Sequence, residues 1–437
     1  MTRHVLLSLS AGILAGEIIL NHYDLLQTVH SIVELFVTLL TTPWILKTLA
    51  FAVMVGSVMV LIRESGGVSG FVYTMQTRLA LVRSKRSALL LVYLVGIAIF
   101  IESSITALIA GSVGRPLSDT YGISRAKLAY VCDSTSAPVC SIILFNGWGA
   151  LLIGLIGAEV MAGTIEGESI EWLLMAIPYN FYAFVALAVT FTVIWFNIDV
   201  GPMKQSTAVP LAAEIKHTGN MWFMLIPIIV MVSAVFFFLW WTGDGNMLKG
   251  SGSTSIFYAL IVTLLVALIQ YRVYDVMSVK SWVIHSLTGI QSMLGIAAIL
   301  LFAFAIGSVT QQLQTGQYIA SYAQYFLSPL YLGGVVFIIA SIMAFSTGTS
   351  WGTFSIMIPI AIPLAIGIDA NVAIVIGAVI SGGVFGDHCS PISDTTIISS
   401  MAAGCDHIEH VKTQLPYALF SGALAFGMFI LAGIFTA

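Results

Sequence analysis

Apolar runs of about 20 residues, each long enough to cross a lipid hydrocarbon core, follow one another along this chain. They predict spanning helices near residues 5–21, 43–62, 87–103, 139–158, 172–196, 221–242, 255–272, 287–309, 332–346, 370–386 and 416–436. Asp24, His30 and Glu34 interrupt residues 24–41, which leaves an interfacial helix and a short span both open there. Four further stretches are apolar but punctuated by Gly, Pro, Ser and Thr: 103–118, 133–146, 346–364 and 387–404. Such segments fit re-entrant or discontinuous helices, which exist at membrane depth only where protein or water covers the backbone. The expected fold class is an all-α polytopic membrane protein of about 10–12 spans.

Composition narrows the function. Of 437 residues, 59% are hydrophobic and 8% charged, against roughly 25% charged in a soluble domain. The net charge of −4 offers no basic surface to nucleic acid. The four cysteines form no CxxC pair and no secreted framework, so they read as small buried hydrophobes. Met1-Thr-Arg-His4 followed by Val5–Leu20 imitates a signal peptide but lacks an A-x-A site, and reads as a first transmembrane helix with a cytoplasmic N-terminus.

An internal repeat is visible. Gly56-Ser-Val58 recurs as Gly307-Ser-Val309, and Ser103, Thr106 and Pro116-Leu117 recur as Ser350, Thr353 and Pro363-Leu364. The loop after the first Gly-Ser-Val holds Arg63, Arg78, Arg83, Lys85 and Arg86, whereas 310–331 holds no Lys or Arg. The positive-inside bias then puts the first loop in the cytoplasm and the second outside, which makes the repeat inverted. The alternative is a plain polar loop at 310–331 and no repeat. The division expected is 1–197 as the first repeat, 198–250 as a linker with a connecting helix, and 251–437 as the second repeat.

The chemistry concentrates in two Asp-led segments, Asp133-Ser-Thr-Ser-Ala-Pro138 and Asp387-His-Cys-Ser-Pro391. Each proline removes a backbone donor and frees carbonyls, and paired broken helices in two halves mark the binding site of a secondary transporter. A hard cation takes oxygen ligands, so Asp133 and Asp387 are the candidate sodium ligands. Hydroxyls come from Ser134, Thr135, Ser136, Ser390 and Thr395, and from Thr349, Ser350 and Thr353 in a segment with five hydroxyls among eight residues. A helix N-cap is the alternative reading of Asp133, and Asp394 reads as cap or ligand. Glu102, with Ser103, is the candidate accessory titrating group. His388 is a proton sensor or a plain hydrogen-bonding neighbour. His407 and His410 read as a polar loop at the membrane edge, since no zinc spacing surrounds them.

These segments, with Gly114-Arg-Pro-Leu117, Gly122–Tyr130, Ser346–Thr353 and Gly386–Ser400, resemble the NhaC family of bacterial sodium/proton antiporters. The resemblance covers most of 45–437. It implies inverted repeats with paired re-entrant hairpins and coupling to sodium. Where many members carry two adjacent aspartates, this chain has Glu102-Ser103.

The function expected is therefore a sodium-coupled secondary transporter of the bacterial inner membrane, not an enzyme. Sodium/proton antiport by alternating access is the first reading, with no cofactor and sodium as the coupling ion. A sodium-driven amino-acid or organic-carboxylate carrier is the second. The partners are sodium, protons or a small organic solute, and the bilayer; self-association into a homodimer stays open. An intramembrane aspartyl protease needs Gly-x-Gly-Asp, and Val384 breaks that pattern.

Overall fold

The computed structural model describes residues 5–78, 82–100, 103–144, 146–206, 219–247, 250–314, 318, 321 and 327–436. Among them only helices, turns and irregular segments occur, and nine helices are long and apolar enough to cross a membrane, or up to ten when a bent pair counts as one span. The chain is a multi-pass membrane protein. Its helices are α1 (Val5–Leu20), α2 (Leu25–Thr41), α3 (Pro43–Glu64), α4 (Gly67–Arg78), α5 (Lys85–Ala98), α6 (Ser103–Tyr121), α7 (Arg125–Ser134), α8 (Ala137–Ile142), α9 (Gly147–Met161) and α10 (Ser169–Ala176). There follow α11 (Phe181–Phe196), α12 (Trp222–Thr242), α13 (Gly252–Val273), α14 (Val279–Gln312), α15 (Pro329–Thr347), α16 (Ser350–Gly367), α17 (Val372–Cys389), α18 (Asp394–Ala403) and α19 (His407–Thr436).

Local chemistry sets the ends. Asp24 accepts from the Leu26 and Gln27 amides and starts α2. Ser124, Asn146, Asn371 and Ser393 cap α7, α9, α17 and α18 in the same way, each satisfying a donor that has no intrahelical partner. Gly348 and Gly404 close α15 and α18 in the left-handed region, where a Cβ would be strained.

Several expected spans are redrawn. Residues 139–158 are two pieces: α8 ends at Ile142 and α9 starts at Gly147, capped by Asn146. Residues 172–196 are also two: a 3-10 turn at Ile177–Tyr179 ends α10, Pro178 withholds a donor, and Asn180 bonds Ser141 instead of continuing the helix. The stretch 103–118 is one helix, α6; the interruption lies before it, at Ile99 and Phe100. The final helix starts at His407, not 416, and accommodates Pro416 in its interior.

Helices pack through small residues. A Cβ on Gly56 or Gly289 would lie 2.2 Å from the other's carbonyl oxygen, so α3 and α14 cross backbone to backbone. Gly382 and Gly386 let α17 close on the Phe337 and Ser341 carbonyls of α15 in the same manner. Without a hydrophobic drive between helices in lipid, such close packing supplies the association energy. Trp148, Phe337, Phe354 and Phe429 fill the core around α17. That helix is enclosed by protein over almost its whole length, which is what permits a carboxylate near its end.

Candidate functional site

Both aspartates sit where a helix breaks. Asp133 is the penultimate residue of α7; the chain leaves helical geometry at Thr135 and Ser136 and resumes at Ala137, with Pro138 in the first turn of α8. Asp387 is the third-last residue of α17, and α18 resumes at Asp394 after Pro391. The two carboxylates are 0% and 1% exposed. In neither case is the aspartate a helix N-cap: Ser393 caps α18, so Asp394 is its first residue rather than its cap.

Asp133 accepts from Gln414 Nε2 at 2.6 Å, Ser399 Oγ at 3.2 Å and His410 Nε2 at 3.3 Å, and His388 Nε2 stands 3.7 Å away. Four side chains from α17, α18 and α19 thus converge on the broken end of α7. His388 Nδ1 pairs with the Tyr182 hydroxyl of α11 at 2.9 Å, and Gln414 also donates to the His388 carbonyl at 2.8 Å. Among the described residues, Gln414 Oε1 and His410 Nδ1 are buried without a hydrogen-bond partner. Buried polar atoms ordinarily find one, and these are the atoms that a proton or small cation entering the cluster would meet.

Asp387 lies between two helix N-termini. Ser350, the first residue of α16, donates to its Oδ2 at 3.0 Å, and Thr395, the second residue of α18, donates at 3.3 Å. Helix N-termini carry partial positive charge and favour an anion. Ser393 and Thr395 hydroxyls pair at 2.9 Å, and the Ser350 hydroxyl also reaches the Gly383 carbonyl at 3.2 Å. This pole is therefore rich in oxygen atoms, whereas the Asp133 pole is rich in nitrogen. The two are joined through consecutive residues, because His388 adjoins Asp133 while Asp387 holds the hydroxyls.

The other expected ligands take other positions. Thr135 donates to the Val131 carbonyl and Ser136 to that of Asp133, so they close the break in α7. Ser134 is buried at the end of α7. Ser390 donates to the Phe345 carbonyl and Thr353 to that of Thr349, which is half-buried before α16. Ser103 is buried at the start of α6, beside the interruption where the Phe100 carbonyl receives Asn146 Nδ2 at 2.9 Å. Glu102 lies outside the described residues, as does the side chain of Asp394.

His410 is the main correction. It is not a loop residue but a buried one, four positions into α19 and bonded to Asp133, while His407 stays at the edge and pairs with the Pro391 carbonyl at 2.7 Å. His410, Gln414, Tyr417 and Ser421 recur at helical spacing and are all buried, the signature of one polar face. Reading Pro416 as the helix start hid it. Ser399 and Tyr182 gave no comparable signal.

Basic residues anchor the far end of α18. Arg125 reaches the Ala403 carbonyl and pairs with Asp119 at 2.7 Å, and Arg115 donates to the Met401 carbonyl. Lys127 pairs with Asp199 at 2.8 Å.

The chain matches the family described as the Na+/H+ antiporter family over residues 139–434. An uncharacterized protein of Haemophilus influenzae is 34% identical over 95% of this chain and 85% of its own length. The malate-2H(+)/Na(+)-lactate antiporter of Bacillus subtilis is 28% identical over 32% of this chain and 30% of that protein. Neisseria gonorrhoeae MtrF, described in its structural report among antimetabolite efflux pumps, superposes with a TM-score of 0.63 over 93% of this chain and 84% of its own, at 15% identity. At that identity the likeness is one of fold.

Proposed function

This chain belongs to the Na+/H+ antiporter family, and from that premise we propose that it exchanges sodium for protons across the bacterial inner membrane by alternating access. The observation that carries the reading is the pair of buried carboxylates, each at the break of a discontinuous helix and joined through residues 387 and 388. In this reading Asp387, with the hydroxyls of Ser350 and Thr395, receives the sodium ion. Oxygen donors suit a hard cation. Asp133, ringed by His388, His410 and Gln414, carries the proton; its partners are hydrogen-bond donors, which leave it little lone-pair space for a metal. The two poles are close enough for one occupant to oppose the other electrostatically. Movement of one repeat against the other then exposes the cluster to either side.

The division into residues 1–197, 198–250 and 251–437 belongs to the same proposal. Ser103 and Ser350 begin α6 and α16, and Asp133 and Asp387 end α7 and α17, so the repeated landmarks occupy matching places in the order of elements. The basic loop around Arg83–Arg86 and the anchors Arg125 and Lys127 favour a cytoplasmic face there, with the N-terminus inside.

The malate/lactate relative keeps a sodium-driven organic-acid carrier as the second reading. The near-complete burial of both carboxylates favours ions alone. Proteoliposomes with independently imposed sodium and pH gradients, challenged also with a panel of amino acids and carboxylates, decide between them. Sodium-driven proton movement that is lost in Asp387→Asn supports antiport. Metabolite uptake without proton exchange replaces it with the second reading.

A further inference from the structure

At the other end of α9 from the broken-helix cluster lies a cavity of about 290 Å³. Its wall includes Glu159 of α9, Thr164 just beyond, Thr310 and Gln314 at the end of α14, and Pro359 and Pro363 of α16. Glu159 is roughly 18 Å along the helix axis from Gly147, at 1.5 Å per residue, so this is not part of the Asp133–Asp387 cluster. The Glu159 side chain is 4% exposed, and among the described residues no Lys, Arg or His pairs with it. A buried carboxylate without a counter-charge is expensive in a membrane protein and marks a binding position.

The rest of the lining supplies oxygen. Thr164 lies beside the carboxylate, and Thr310 and Gln314 contribute a hydroxyl and an amide. Pro359 and Pro363 remove the helical donors of the Ser355 and Pro359 carbonyls. Among the described residues no basic side chain lines the cavity. Close in the chain to the lining residues Thr164 and Gly367, Glu166, Glu168, Glu171 and Asp369 are exposed. Partial burial, and to a smaller extent the Glu171 charge, push the Glu168 carboxyl above its ordinary value. Clustered negative charge concentrates cations near a cleft.

We propose that the Glu159 cavity is a second site for a hard monovalent cation, separate from the broken-helix cluster. The assignment of sodium as its occupant rests on the sodium-coupled reading given above. The site itself rests on the cavity, on the buried Glu159 carboxylate, and on the side-chain oxygens of Thr164, Thr310 and Gln314 beside apolar Ala162 and Ile366.

The test uses the full-length protein in lipid nanodiscs and reads one residue. Dicyclohexylcarbodiimide, which modifies membrane-buried carboxyls, is added with increasing sodium chloride or equal N-methyl-D-glucamine chloride. Modification of Glu159 is followed by peptide mass. A bound ion slows the reaction by one plus the ratio of sodium to its dissociation constant, about elevenfold at ten times that constant. Sodium is expected to protect and N-methyl-D-glucamine is not. Thr310→Val, which keeps the shape and removes one oxygen, is expected to shift protection several-fold toward higher sodium. Asp387→Asn is expected to leave protection intact, because the two sites are separate. Equal rates in the two salts overturn the proposal, as does a Glu159 that stays unmodified without sodium. Loss of protection in Asp387→Asn overturns it too, since Glu159 would then only report occupancy elsewhere. Failure of the transport reading appears in proteoliposome fluxes and leaves this labelling result standing by itself.

Discussion

Gln414 gives the sharpest test of the cluster, because sequence alone assigns it nothing and the structure gives it two bonds. Its amide nitrogen donates to Asp133 at 2.6 Å and to the His388 carbonyl at 2.8 Å. Gln414→Leu keeps nearly the same volume and removes both. A hydrogen bond to a charged group contributes about 1.5–3 kcal/mol and a neutral one about 0.5–1.5 kcal/mol, so the expected loss is about 2–4.5 kcal/mol. Asp133→Asn removes the charge and leaves only neutral pairs around residue 133. In the double variant the charged part of the Gln414 bond is already gone, so the two losses are expected to be non-additive by about 1–2 kcal/mol. Thermal unfolding of the purified wild type, both single variants and the double variant in one detergent reads this cycle. The apparent midpoint of Gln414→Leu is expected to fall by several degrees, and the double variant is expected to fall by less than the sum of the singles. A Gln414→Leu protein as stable as wild type, or strictly additive losses, refutes the geometry of the Asp133 cluster.

Four further outcomes are expected. Asp387→Asn is expected to fold, since neutralising a buried charge is often neutral or stabilising, while sodium-dependent flux disappears; flux near the wild-type rate removes Asp387 from the site. In a cysteine-free background, Ser84→Cys is expected to be labelled only from the cytoplasm and Gln314→Cys only from outside; labelling from the same side rejects the inverted repeat. Burial, with Glu409 and Asp406 nearby, pushes the Cys405 thiol up to about 12. Its reactive thiolate is therefore scarce at pH 8 and grows only above that range, so maleimide labelling of the native protein is expected to be slow at pH 8, and rapid labelling contradicts this. Ser103→Asp, at the buried start of α6, is expected to strengthen pH-gradient-driven sodium efflux if antiport is the activity, and to depress uptake of an anionic solute if the second reading holds; an unchanged protein places that position outside the transport path.

The membrane class, most spans and the two aspartate-centred breaks were legible in the chain, because hydropathy over 20 residues and proline chemistry are local properties. Ser350 and Thr395 were conspicuous as hydroxyls in the sequence, but their pairing with Asp387 is visible only in the structure. Thr135, Ser136, Ser390 and Thr353 were equally conspicuous and donate to backbone carbonyls instead, since a hydroxyl's partner depends on where the chain bends. His410 and Gln414 are hidden in the sequence because they precede the apolar run at 416–436 that marks the last span. A proline inside a membrane helix is tolerated when neighbouring protein satisfies the freed carbonyl, and nothing local announces that neighbour.

Residue type and run length place this protein in a bilayer and single out Asp133 and Asp387 as carboxylates that need protection there, because both govern the burial of charge in lipid. Only the tertiary structure decided what protects them. Asp133 is held by residues more than 250 positions away, from three other helices, and the packing that brings them in is set by glycine contacts such as Gly386 against α15. Side-chain partners at such separation are chosen by how helices cross, and a crossing is a property of the whole packed bundle rather than of any one segment.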